Sequence, residues 1–136
     1  MNETPHPILE LLARDQRYKL EAYQFVRDGL AYAQEVLDMG TADIVPGEVT
    51  EPHLSGQDLC HAIRMHAIDQ FGYMAKTVLN SWGICTTSDL GDIVYNLIEI
   101  GLMKKSKDDQ REHFNDVFDF DVAFVKQFEI TVPDEA

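Results

Sequence analysis

The sequence predicts a mainly α-helical domain with a small β contribution (α+β): a helical bundle whose C-terminal half is helix-turn-helix or winged-helix-like and carries a small β-hairpin. Three observations predict it. Apolar residues recur at steps of three and four in several segments, which is the spacing of one face of an α-helix. The run from Ser81 to Met103 reads as a helix end, a tight corner, and a second, capped helix stopped by a glycine. After Gly101 the periodicity changes, and Phe114, Phe118 and Phe120 fall in a stretch compatible with an extended strand.

Pro7 fits the first turn of a short helix, where its missing N–H would have no helical partner, and Ile8, Leu9, Leu11 and Leu12 carry that helix to an end near Arg14 and Asp15. A longer helix follows from Tyr18 to Met39. Its residues Tyr23, Val26, Leu30, Ala33 and Leu37 make one continuous stripe, and Gly40 is placed as a left-handed stop. Phe25, Tyr32 and Val36 widen the apolar surface, so this helix is expected to be covered on more than one side. Residues 41–54 lack helical periodicity and contain Pro46, Gly47 and Pro52, which makes them a loop or linker. The predicted organisation is an N-terminal helical arm (1–40), a linker (41–54), and a helix-turn-helix domain with a C-terminal hairpin and acidic tail (55–136), together one compact domain.

In the second half, Ser55 is the candidate N-cap of a helix with Asp58 three residues on. Leu59, Ala62, Ile63, His66 and Ala67 form its apolar face. Gly72 permits a break, and Tyr73, Met74, Thr77, Val78, Ser81 and Trp82 supply the next apolar face up to Gly83. Ile84 is expected to plug the corner and Thr87 or Ser88 to cap the next helix, whose core stripe is Leu90, Ile93, Val94, Leu97 and Ile98. Beyond Gly101, residues 102–105 and 113–120 can pair as strands across the polar tip 106–112. A competing reading places a short closing helix at 122–128, with Phe124, Val125 and Phe128 inward. Both are compatible with the sequence.

The chain is 45% hydrophobic and 10% aromatic, which suits a packed core and not a disordered chain. Its formal charge of −13 disfavours nonspecific binding to nucleic acid and to anionic membranes, and favours a basic partner. No run of apolar residues approaches the roughly 20 needed to span a bilayer. The start, Met1 to Pro7, lacks the basic and apolar regions of a secretory leader, and Cys60 and Cys85 then read as reduced thiols of a cytoplasmic protein. Residues 108–136 carry nine acids against Arg111 and Lys126, a net −7, just after the basic cluster Lys104, Lys105 and Lys107. That acidic stretch is either a solvated surface and tail or a docking face for a basic partner.

No metal site or cofactor is expected. His61 and His66 are five apart, which sets them about 140° apart around a helix instead of on one face. His66 falls on the apolar face beside Leu59 and Ile63 and is expected as a hydrogen-bonded core residue. Single glycines at Gly72 and Gly83 do not make a phosphate cradle, and Asp116, Asp119 and Asp121 lack the spacing of a calcium loop. Cys85 precedes a helix N-terminus, where the dipole favours a thiolate. A catalytic role would need His113 or His61 as a base, brought there by the fold. The would-be recognition helix from Ser88 to Gly101 carries Asp89, Asp92 and Glu99 and no Lys or Arg, so duplex DNA is a poor partner for it.

Eight short runs occur in order: Ile8-Leu-Glu-Leu-Leu, Arg17-Tyr with Glu21-Ala-Tyr-Gln-Phe-Val, His53-Leu-Ser-Gly-Gln-Asp-Leu, Gln70-Phe-Gly-Tyr-Met-Ala, Val78-Leu-Asn-Ser-Trp-Gly-Ile, Asp89-Leu-Gly-Asp-Ile-Val, Gly101-Leu-Met and Asp116-Val-Phe-Asp-Phe. Over about Ile8 to Phe124 the chain resembles a family of small uncharacterised proteins largely restricted to planctomycete and verrucomicrobial bacteria. The resemblance implies a cytoplasmic, single-domain protein and brings no activity, cofactor or site residue with it.

The expected function is a non-catalytic module for protein–protein interaction or self-association. Its candidate surface comprises Trp82, Tyr73 and Tyr95, the lysines Lys104, Lys105 and Lys107, and the acids Asp116, Asp119 and Asp121. The alternatives are a winged-helix transcriptional regulator that touches DNA through the tip Lys104 to Lys107, and an enzyme with Cys85 as nucleophile.

Overall fold

Each helix is bounded by residues whose chemistry stops or starts it. The computed structural model describes residues 7–37, 55–103 and 110–126. Among them are five α-helices: α1 (Pro7–Arg14), α2 (Leu20–Glu35), α3 (Gly56–Phe71), α4 (Ala75–Ser81) and α5 (Thr87–Glu99). A 3-10 turn (Gly72–Met74) joins α3 to α4, a second (Arg111–Phe114) follows α5, and a π-helical turn (Val122–Lys126) ends the described chain. The protein is mainly helical, as its periodicity predicts. Gly40, the linker 41–54 and the tail beyond 126 lie outside the described residues.

The caps carry much of the sequence logic. Ser55 accepts the Asp58 N–H at 3.1 Å and starts α3. Helix α5 is capped by Thr86, one residue before the expected Thr87 or Ser88. Thr86 and Asp89 form a reciprocal capping box, in which the Asp89 carboxylate also accepts the Cys85 N–H at 2.8 Å. Such a cap contributes about 1 kcal/mol. Thr87 is instead buried, and its hydroxyl accepts the Val117 N–H at 3.1 Å.

Helix α4 ends in a Schellman motif. The Gly83 N–H donates to the Asn80 carbonyl and the Ile84 N–H to the Leu79 carbonyl, with Gly83 at φ +97°. Ile84 is fully buried and plugs the corner as expected.

The core is continuous across both halves. Leu90, Ile93 and Leu97 of α5 are fully buried, each contributing about 1.5–3 kcal/mol, while Ile98 is half-buried at the margin. They share one cluster with Leu11 of α1 and Ala22, Tyr23, Phe25, Val26 and Ala33 of α2. Helix α2 packs chiefly against α3 and secondarily against α5. Gly91 sits mid-helix because a Cβ there would lie 2.6 Å from the Phe114 Cβ and 2.7 Å from Arg111 Nη1, so the turn after α5 can approach only a glycine.

The predicted hairpin is the main correction. No strand occurs among the described residues, and residues 111–114, placed in the tip and second strand, form a 3-10 turn. Arg111 is drawn back onto α5, and Asp116 at φ +52° interrupts any extended run. Phe114 and Phe120 then both enter the core, with Phe118 stacked on Phe120 at 5.7 Å. Leu102 and Met103 form a bend, while Lys104, Lys105 and Lys107 lie outside the described residues. The competing closing helix is closer to what forms: Phe124 is buried at 1% exposure, although Val125 faces solvent.

Candidate functional site

Three polar constellations arise from this packing, and only some of their residues were singled out by sequence. The first covers α5. Arg17, in the corner between α1 and α2, grips Asp15 with two hydrogen bonds (2.9 and 2.7 Å) and reaches Asp92 at 3.1 Å. Arg111 approaches Asp92 from the other side at 2.7 and 2.9 Å and also donates to the Ser88 carbonyl and to Asn115. The Tyr18 hydroxyl donates to Asp89 at 2.7 Å, and Arg14 pairs with Glu99 at 2.8 Å. All three acids of the would-be recognition helix are therefore engaged within the chain.

The electrostatics follow from this geometry. The Arg17 hydrogen bonds hold the Asp15 carboxyl well below the usual carboxylate range, against the opposing effect of burial and with help from Asn96. Burial, then the bond to Asp89, pushes the Tyr18 phenol far above its ordinary value. Asp89 and Asp92 of this face are partly covered by the α1–α2 corner and by the turn carrying Arg111, while Glu99 stays exposed and is paired with Arg14.

The second constellation surrounds Cys85. This exposed thiol shares a cleft of about 340 Å³ with Lys76, Thr86, Phe118 and the acids Asp116, Asp119 and Asp121. Lys76 is paired with Asp121, which raises its pKa, and Asp119 accepts the backbone N–H groups of Asp121 and Val122. The three acids thus do come together, partly as helix-capping and ion-pair groups. No histidine is among the described lining residues. His61 stands 6.0 Å from Phe118, and the His113 side chain lies beside Gly56.

The third lies between α2 and α3 and contains Trp82. Glu21, Gln24, Phe25 and Asp28 are spaced i, i+3, i+4, i+7, so α2 presents them along one face. His66, Gln70 and Phe71 come from α3, and Trp82 from the end of α4. Their cleft measures about 230 Å³. Its floor is a packed aromatic cluster, with Phe25 5.6 Å from Phe71 and 5.5 Å from Trp82, and Phe71 edge-on to Trp82 at 5.8 Å. Phe25 is buried, whereas Phe71 and Trp82 remain partly open, so part of the tryptophan stays uncovered.

His66 is wedged between Phe25 and Tyr32, each at 4.9 Å. The expected hydrogen-bonded core histidine is corrected here: it is half-buried against aromatic rings, and its Nδ1 has no hydrogen-bond partner among the described residues. Burial lowers its pKa, opposed by Asp28 and Asp69.

The other candidates lie apart. Tyr73 is 77% exposed and does not line this cleft, and Tyr95 packs edge-on to Phe114 at 6.4 Å. Phe25, His66 and the acids Glu21 and Asp28 were not singled out as a site. Their signal was present, because Phe25 lies off the main stripe of α2 on a face shared with two carboxylates.

Among the described residues no group of three or more His, Cys, Asp or Glu is arranged to hold a metal ion, and no helix is long and apolar enough to cross a membrane. No family model matches the chain, and neither a curated protein nor a solved structure is similar to it.

Proposed function

We propose that this chain is a non-catalytic interaction module that docks a basic partner protein through the α2–α3 cleft. One observation carries the reading: Trp82, the chain's only tryptophan, sits partly open in an aromatic cleft rimmed by Glu21 and Asp28, in a protein of net charge −13. A cytoplasmic setting with two free thiols fits the same reading. The test is affinity capture with the whole chain, followed by titration of the purified captured protein against wild type and Trp82→Ala. An interface anchor of this kind is worth about 2 kcal/mol or more, so binding should weaken by roughly thirtyfold. A chain that stays monomeric in scattering at high concentration, and yields no partner sensitive to Trp82→Ala, sinks the proposal.

The enzyme reading has one observation in its favour, the exposure of Cys85 in a cleft beside Lys76. It predicts alkylation of Cys85 faster than that of free cysteine at neutral pH. An ordinary exposed thiol reacts at the free rate and removes that reading. Cys60 is the internal control, because burial pushes its thiol up to about 12 and it should react only after unfolding.

A further inference from the structure

Resting on the interaction reading, we infer that the α2–α3 cleft receives a single arginine side chain of the partner protein. At about 230 Å³ the cleft is smaller than the roughly 300–1,000 Å³ of pockets that enclose drug-sized ligands, which fits one inserted side chain better than a cofactor. Phe71 and Trp82 are partly open, and aromatic rings of this kind attract a cation to any face left uncovered. Glu21 and Asp28 stand seven residues apart on α2, and the amide carbonyls of Gln24 and Gln70 add neutral acceptors. Among the described lining residues there is no Lys or Arg, and neither carboxylate is held in an ion pair. Among the described residues, the site thus has acceptors and aromatic surface but neither Lys nor Arg.

Arginine fits this set better than lysine. A planar guanidinium can lie on a ring while its edge donates to carboxylates, whereas an ammonium is a compact, strongly hydrated point charge. The fold already contains one such arrangement. The Arg17 guanidinium lies 5.0 Å from the centre of the Tyr18 ring, with Asp15 and Asp92 accepting from its edge. In the α2–α3 cleft the same three chemical parts, ring and two carboxylates, stand without the guanidinium.

Because Trp82 is the sole tryptophan, its fluorescence reports occupancy directly. The whole chain is titrated with a blocked Gly-Arg-Gly peptide, with the same peptide carrying citrulline (the neutral isostere), and with free arginine, at fixed ionic strength. The arginine peptide should give a saturable change, and citrulline should bind roughly tenfold more weakly. The double variant Glu21→Gln with Asp28→Asn should lose a similar factor. Glu10→Gln with Glu112→Gln, which removes the same charge elsewhere on the exposed surface, should lose none. Thermal unfolding of each variant checks that the fold is retained. Equal binding of arginine and citrulline peptides, or equal behaviour of the two double variants, overturns the inference. Free arginine binding as tightly as the peptide overturns the protein origin of the occupant. A captured partner that depends on Trp82 but tolerates loss of its arginines leaves the interaction reading standing and removes this one alone.

Discussion

Asp89, Asp92 and Glu99 on α5 each meet a cation or hydroxyl from a segment far away in sequence, whereas Glu21 and Asp28 on α2 face an open cleft. The two sets are alike in formal charge and in helical setting. What separates them is the supply of partners: Arg14, Arg17, Tyr18 and Arg111 all converge on α5, and none lines the cleft of α2. An acid that has found its cation is part of the scaffold. One that has not is available to another molecule.

The pairing of Asp92 with Arg17 depends most on the corner that brings Arg17 to α5. Gly83→Ala forces a Cβ at φ +97° into the Arg17 backbone carbonyl, and about 3 kcal/mol of stability should be lost in urea unfolding. A loss below about 0.5 kcal/mol would mean that the corner relaxes freely and does not hold the network.

A sharper version sets one acid against another. Asp92→Asn leaves Arg17 and Arg111 without their shared carboxylate and should cost about 2 kcal/mol, while Asp28→Asn should stay within about 0.5 kcal/mol. Equal costs would erase the distinction between locked and open acids.

The pH dependence offers a gentler probe. The folded Asp15 carboxyl titrates below its unfolded value of about 3.9, so its contribution is complete above that value and is lost as pH falls through the lower, folded one. Asp15→Asn should flatten the acid limb of stability below about pH 4, with a loss near 1 kcal/mol at neutral pH. An unchanged acid limb would show that Arg17 does not grip Asp15 in solution.

The smallest effect belongs to the open side. Burial lowers the His66 pKa below its unfolded value of about 6.5, so its contribution is complete above that value and declines as pH falls below it. Against wild type, His66→Phe should remove a shallow part of the slope below about pH 6.5, followed by thermal unfolding. An identical slope in both proteins counts against a buried His66.

Local signals were legible and distant ones were not. The stripe of α5, the Ser55 cap, the Gly83 corner and the plug Ile84 depend on residues within a turn or two of one another, and each is where its neighbours place it. The hairpin failed because the conformation of residues 111–114 is set by Asp92, about twenty positions upstream, to which Arg111 returns. Trp82 was legible as a candidate anchor from its type and its place at a helix end. The company it keeps was not, since Phe25 reaches it, and His66 stacks on Phe25, only through the packing of α2 against α3.

The Lys19 N–H donates to the Trp82 carbonyl at 3.1 Å, where the corner before α2 touches the corner before α5. That bond denies modularity to the half of the chain that most resembles a self-sufficient unit. A fragment excised from Ser55 onward would keep its caps and its α5 stripe, yet would bare one wall of Trp82, the buried side of α3 and two carboxylates deprived of Arg17 and Tyr18. The α3–α5 half is not a portable part but the receiving end of contacts from α1 and α2, and any fusion or truncation should carry the chain from Pro7 with it.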